Sequence, residues 1–289
     1  MKPIFKYIGG KSWLSSELNS ILNQKQFNSY SEAFAGGLGS FIGVLPTLKE
    51  KQIKKITLND ISIPLMNVYQ QIYLNPENLF HSFENLENGF KELECKSNSK
   101  GDLIPAEEYF KLVRAQFNTE KVLPPSIDLA AMMIFLQCHS FNGIYRENSK
   151  GGYNSPFNWS GKSFDLNEMK SRIQNMNSVF HYFDTTLLCQ DVFSLEPLVN
   201  DGLWYYDPPY INEELNENKY NENGFGITQQ NRLIQMIKGT NFIYSNHDVE
   251  FLQEQFKGCV IKKVFRSNIM TANKNNRGEK RAEVLITPT

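Results

Sequence analysis

At 289 residues, 40% hydrophobic and 21% charged, the chain has an ordinary globular composition, with length enough for a substantial core and one or two domains. No stretch approaches the roughly 20 apolar residues that cross a bilayer, and the opening "MKPIFKYIGGKSW" carries no signal-peptide pattern. A formal net charge of −1 excludes a protein coated in positive charge, so any polyanion would have to meet a local basic surface.

In chain order, the first strand pattern is "SYSEAFAGG", which runs into glycines at 36 and 37. The loop "FAGGLGS" (34–40) follows it and precedes an apolar, helical stretch. "KKITLND" is the next strand, ending at Asn59-Asp60. Residues 63–166 differ in character and read as mainly helical, with "AEEYFKLVRAQFN" and "PPSIDLAAMMIFLQCHSFNG" the clearest segments. The longest apolar run, Leu129 to Leu136, lies there and is core-sized. A polar, glycine-rich stretch follows, "RENSKGGYNSPFNWSGKSF", longer than a mere connection needs and so suspected of function. "LWYYD" is a strand ending in Asp207 and broken by Pro208-Pro209, which fix their own φ and supply no N–H. The asparagine-rich segment 212–224 reads as a loop. "TQQNRLIQMIKG" (228–239) reads as a helix with Thr228 as N-cap and Gly239 as stop. "TNFIYSNHD" is a further strand with a polar end, and "GCVIKKVFRS" and "RAEVLITPT" are expected to pair antiparallel at a sheet edge. Strands separated by helices imply a parallel α/β sheet. The expected organisation is one α/β domain in two pieces, 1–62 and 167–289, with a helical insertion at 63–166.

Cys95, Cys138, Cys189 and Cys259 are far apart, as are the four histidines, so no metal site is expected and a reducing cytoplasm is the default compartment. Charge is polarised. Residues 257–281 hold eight Lys/Arg against Glu279 alone, whereas 211–223 are acidic.

Two features point to chemistry. Glycines at 36 and 37 let backbone approach a ligand closely, and Asp60 lies 21 residues beyond Gly39 at the next strand end. An acid so placed accepts ribose hydroxyls in nucleoside cofactor sites. An ordinary strand–helix turn, or a nicotinamide enzyme, would show a similar pattern. The second feature is Asp207-Pro208-Pro209-Tyr210. A carboxylate and the Pro208 carbonyl can each accept a hydrogen bond from one amino group, and Tyr210 can stack on a flat ring. That set grips a planar molecule with an exocyclic amine, as adenine is. In an open parallel sheet, Gly36, Asp60 and Asp207 would all lie at the carboxyl edge, where ligands bind.

"KYIGGK", "FAGGLGS", "FNGIYRENSKGGYNSPF" (141–157), the Asp-Pro-Pro-Tyr motif, "YSNHD" (244–248) and "FRSNIMTANKNNRGEKRAEVLI", in that order, resemble the Dam-like, alpha group of DNA adenine methyltransferases over nearly the whole chain. The resemblance implies a Rossmann-like methyltransferase sheet carrying the inserted target-recognition domain. It implies S-adenosylmethionine as methyl donor, S-adenosylhomocysteine as product, no metal, and duplex DNA methylated at adenine N6 after base flipping. Tyr7, Lys11, Phe34, Gly36, Gly37, Asp60, Asp191, Phe193 and, in part, Asp207 would hold the cofactor. Asp207, Pro208, Pro209 and Tyr210 would be catalytic. Lys6, Phe141, Asn142, Ile144, Arg146 and Pro156 would meet bases or the space left by the flipped one, and Lys150, Lys162, Lys274 and Arg277 would meet phosphates. GATC is the lead target. Glu147, where an aromatic residue is common, and the stretch after Pro156 depart from the family pattern. A cognate restriction endonuclease is a candidate partner, and a monomer is the expected state. The rivals are a methyltransferase of RNA or of a protein amide, which usually carries Asn-Pro-Pro-Tyr, a nicotinamide oxidoreductase, and a non-catalytic binder of cofactor and DNA.

Overall fold

The computed structural model describes residues 1–7, 9–93, 104–159, 162–198, 200, 202–211, 225–267 and 280–289. In chain order the regular elements are α1 (Ser15–Gln24), β1 (Ser29–Glu32), α2 (Gly39–Glu50), β2 (Lys55–Asn59), α3 (Ile63–Leu74), α4 (Pro76–Glu92), α5 (Ile104–Glu120), α6 (Ile127–His139), α7 (Leu166–Tyr182), β3 (Asp184–Leu188), β4 (Leu203–Tyr206), α8 (Ile227–Ile237), β5 (Phe242–His247), α9 (Glu250–Gln255), β6 (Val260–Ser267) and β7 (Lys280–Thr287). The class is mixed α/β with a seven-stranded sheet, as a Rossmann-like methyltransferase requires. Two compact units are present: Met1–Gln26 with Ala35–Cys189, and Phe27–Phe34 with Gln190–Thr289.

In the first unit, β2 and β3 pair in parallel from Lys55↔Asp184 to Asn59↔Leu188. Of the region 63–166 expected to be mainly helical, the described residues as far as His139 are, whereas those from 140 to 165, polar and glycine-rich with no apolar period, are loop apart from a short turn at Phe141–Gly143. α6 is apolar all round, with Leu129 to Gln137 buried without a break, which is the signature of a helix enclosed by others. It packs against α3, α4 and α5. Ser126 caps it by accepting from the Leu129 N–H at 3.1 Å. α4 turns Leu79, Phe80, Phe83, Glu87 and Phe90 inward. Asp165 starts α7 by accepting from the Asn167 and Glu168 N–H groups.

In the second unit the strand order is β1-β4-β5-β7-β6. β1, β4 and β5 are parallel, and β7 and β6 close the run antiparallel. β4 is buried at all four residues, the continuous apolar run of a strand covered on both faces. Gly202, just before it, has φ +78°, and a Cβ there would lie 2.5 Å from the Ser29 carbonyl oxygen. The expected edge pair is β6 and β7, with β6 outermost. One expectation is corrected: α8 is capped by Gly226, not Thr228. The Gln229 side chain reaches back to accept from the Gly226 N–H at 3.1 Å, which starts the helix earlier. Gly239, at φ +84°, follows the helix end as predicted.

Candidate active site

In the first unit the glycine loop and the N-terminal motif fold onto each other. The Gly36 N–H donates to Asp60 Oδ2 at 2.9 Å, and the Ser62 N–H donates to Oδ1 at 3.0 Å. The Tyr69 hydroxyl donates to the Gly36 carbonyl at 2.6 Å. Gly36 has φ +48°, a left-handed backbone that favours glycine. A Cβ on Gly37 would stand 2.5 Å from Tyr7 Cβ, and one on Gly39 would stand 3.2 Å from the Lys11 nitrogen. So "KYIGGK" lies directly on "FAGGLGS", and glycine permits that approach. Lys11 is buried and donates to the Gly9 carbonyl at 2.8 Å. Burial pushes the Asp60 carboxyl up from its usual value, while the backbone N–H groups of Ser62, Gly36 and Ile61 pull it back.

The same unit holds the loop 141–157. Ser140 bridges Phe157, and Glu147 bridges Tyr153, so the segment doubles back on itself. Phe141 is 53% exposed, unusual for so large an apolar ring. Asn142 and Gly143 both have positive φ. A Cβ on Gly143 would stand 3.2 Å from Lys6 Cβ, so the N-terminal lysine and the loop are neighbours. Ile144 is half-buried, and Arg146, Lys150, Pro156 and Lys162 are exposed. The segment carrying Lys6 and Tyr7 is pinned by Arg172 of α7, whose Nη1 donates to the Pro3 and Ile4 carbonyls at 3.0 and 3.1 Å.

In the second unit, Asp207 follows β4 directly. Its Oδ1 accepts from the Ser245 hydroxyl at 2.7 Å, and Ser245 Oγ lies 3.0 Å from the Tyr205 hydroxyl. The turn is then fastened from β5 and α8. Asn246 Oδ1 accepts from the Ile211 N–H at 3.0 Å, and its Nδ2 donates to the Tyr244 hydroxyl at 3.0 Å. The Tyr244 hydroxyl bonds Gln230 Oε1, and Gln230 Nε2 donates to the Pro209 carbonyl at 2.7 Å. His247 Nδ1 meets the Ile211 carbonyl at 2.8 Å. Tyr210 donates its hydroxyl to Glu283 Oε2 at 2.9 Å and sets its ring edge-on to His247. Burial drives the Tyr210 phenol well above its usual value, with the Asp207 charge adding to it.

Phe34 and Phe193 also lie in the second unit. Phe225 joins them, edge-on to Phe34 and parallel to Phe193, and the Arg232 guanidinium sits 4.1 Å over Phe193. Asp191 accepts from the Phe193 N–H at 2.8 Å and so shapes the turn that carries that ring. The expected site residues therefore fall in two groups. Lys6, Tyr7, Lys11, Gly36, Gly37, Asp60 and the loop 141–162 belong to the first unit, and Phe34, Asp191, Phe193 and Asp207–Tyr210 to the second. Lys274 and Arg277 lie outside the described residues.

Sequence reasoning missed the supporting groups. Ser245, Asn246 and His247 read only as a polar strand end, although each one holds the Asp207 turn. Gln230 is wholly buried on the inward face of an amphipathic helix, and Glu283 is buried in an apolar strand. A polar residue where the period demands an apolar one was the available signal.

Comparison with known proteins bears on this geometry. The model of the D12 class N6 adenine-specific DNA methyltransferase family matches residues 7–272. The chain is 27% identical over 301 residues to the type II methyltransferase M.MjaIII of Methanocaldococcus jannaschii, covering 99% of this chain and 98% of that protein. It is 27% identical over 285 residues to the DNA adenine methylase of Haemophilus influenzae, covering 96% and 90%. It is also 27% identical over 300 residues to the type II methyltransferase M1.LlaDCHI of Lactococcus lactis, covering 99% and 95%. With the family match spanning the glycine loop, the loop 141–157 and Asp-Pro-Pro-Tyr alike, the chain belongs to the D12 class of N6 adenine-specific DNA methyltransferases.

Proposed function

We propose that the protein methylates the exocyclic N6 amino group of adenine within a short specific duplex site, GATC on the lead reading, using S-adenosylmethionine and a flipped-out base. The observation that carries this is the Asp207–Tyr210 turn, fastened through Ser245, Asn246, His247 and Gln230. Such a turn presents its acceptors without reorganising, and positioning is the main source of acceleration in a direct transfer.

The residues of the first unit suit the cofactor. Each Asp60 oxygen accepts one backbone N–H and keeps lone-pair capacity for a ribose hydroxyl. The bare Gly36 and Gly37 backbone admits close approach, and the buried Lys11 ammonium suits a carboxylate. Phe34 and Phe193 offer aromatic surface for a purine. When bound, S-adenosylmethionine supplies an electrophilic sulfonium methyl and leaves as S-adenosylhomocysteine.

A stacked base cannot reach such a site, so extrusion is required, at a cost of a few kcal/mol. Phe141 and Asn142 are assigned to the vacated space in the duplex. Asp207 and the Pro208 carbonyl accept from the two amino hydrogens, which turns the nitrogen lone pair out of the base plane. Tyr210 stacks on the base, its plane set by Glu283 and His247. The methylated nitrogen carries an acidic proton, which passes to water without a strong base. On this reading residues 63–166 carry target recognition, with Lys6, Ile144, Arg146 and Pro156 at base edges and Lys150, Lys162, Lys274 and Arg277 at phosphates.

Incubation with S-adenosylmethionine and unmethylated genomic DNA, followed by sequencing for N6-methyladenine, tests the proposal. One modified motif is expected. GATC supports the base contacts assigned above, whereas another single motif moves the target but keeps the chemistry. No methyladenine, with cofactor binding confirmed, overturns the proposal.

A further inference from the structure

Burial alternates along the second arm of the loop 141–157. Tyr153, Ser155 and Phe157 are buried, whereas Asn154 is half-buried and Pro156 exposed. Glu147, on the first arm, is exposed, but its carboxylate is tied down. Its Oε1 accepts from the Tyr145 hydroxyl at 2.7 Å and from Lys121 Nζ at 2.5 Å, and Tyr145 packs on buried Tyr153. The residue that departs from the family pattern is therefore a brace that ties Tyr145 to Lys121.

Arg146 is tied to Asn154. Arg146 Nε donates to Asn154 Oδ1 at 2.8 Å, and Nη2 donates to the Asn154 carbonyl at 3.1 Å. A guanidinium has five N–H groups in a rigid plane. Nε and the adjacent Nη2 hydrogen form its side edge, and Asn154 takes both. The end edge, Nη1 with the outer Nη2 hydrogen, keeps two parallel donors. That pair matches O6 and N7 of guanine in the major groove.

We propose that Asn154 is a specificity-determining positioning residue: by holding the side edge of Arg146, it aims the end edge at a guanine of the target site. The inference rests on the reading of Arg146 as a base contact given above. Without the Asn154 side chain the guanidinium keeps one bond, from Nη2 to the backbone carbonyl of residue 154, and can turn about it, so the bidentate bond must be organised at each encounter.

The test compares kcat/KM on a duplex carrying the methylated motif with the same duplex bearing 7-deazaguanine, which lacks N7. The wild-type preference for guanine is expected to be about 10-fold. Arg146→Ala should bring the ratio close to one. Asn154→Ala should lower it severalfold, and the double variant should match Arg146→Ala alone, since both act through one contact. Asn154→Asp keeps the acceptor and should keep the ratio while weakening all duplexes alike. Asn154→Leu, similar in size without the acceptor, repeats the test should the alanine variant fail to fold. A wild-type ratio in the variants lacking the acceptor, or losses that multiply in the double variant, would overturn the positioning role while leaving Arg146 as a reader. An unchanged ratio in Arg146→Ala would instead remove Arg146 from base reading, and this inference with it.

Discussion

Asp207 shows how little of a side chain's placement is local. The carboxylate sits at the end of β4, but its rotamer is set by a hydroxyl 38 residues away, through the 2.7 Å bond from Ser245. Asp207→Ala is expected to abolish methylation while leaving duplex binding largely intact, read by methyl incorporation beside a gel-shift titration. Near-normal turnover would remove Asp207 from the chemistry. Ser245→Ala should lower kcat by roughly tenfold, as the loss of one hydrogen bond to a charged group predicts, with KM for DNA little changed. A rise in KM at constant kcat would make Ser245 a binding residue. Gly37 is constrained differently. Its Cβ would stand 2.5 Å from Tyr7 Cβ, so Gly37→Ala forces two segments apart at a cost of about 1–3 kcal/mol. A lower Tm and weaker calorimetric S-adenosylmethionine binding are expected together, and unchanged values for both would show that the loop yields freely.

Among the elements, α7 anchors the N-terminal segment. Arg172 holds the Pro3 and Ile4 carbonyls and Glu168, which also takes Lys2 at 2.9 Å. The hydrogen bonds from Arg172 and Lys2 hold the Glu168 carboxyl down at about 2, below its ordinary 4.5. A depressed carboxylate contributes above its unfolded value and loses that contribution as pH falls through the folded one. The tether should therefore be intact above about pH 4.5 and lost as pH falls toward 2. Amide protection at residues 4–7, taken relative to the intrinsic exchange rate at each pH, should fall over that window, and in Arg172→Ala it should be low throughout. Protection that persists in the variant would free the segment from α7. α4 offers a second anchor, because Glu87 is buried against His139 at the end of α6 and also accepts the Phe164 N–H. Both feet of the reading loop thus meet one carboxylate.

At the scale of the whole molecule, the net charge of −1 means that DNA affinity must come from local basic residues. Log affinity should fall with log salt at a slope of about −0.9 for each phosphate contacted. Lys150→Ala should reduce that slope by about one, equally on cognate and unrelated duplexes. An unchanged slope would leave Lys150 as a solvated loop residue.

Strand ends, the helices α3 to α6 and the Asp-Pro-Pro-Tyr turn were legible in the sequence, because each rests on local rules. Apolar period sets element type, proline stops a strand, and glycine marks close backbone approach. What tertiary structure alone decided was long-range pairing. No local rule joins Ser245 to Asp207, Gln230 to Pro209, or Arg146 to Asn154. The same holds for Glu147, whose carboxylate meets Lys121 across 26 residues and Tyr145 two residues before it. The cap of α8 moved from Thr228 to Gly226 through a side chain that returns from Gln229. Residue identity by itself determined which chemistry the chain can hold. The folded contacts decided which groups keep that chemistry in place, since a hydrogen bond between distant residues exists only once the strands that carry them are paired.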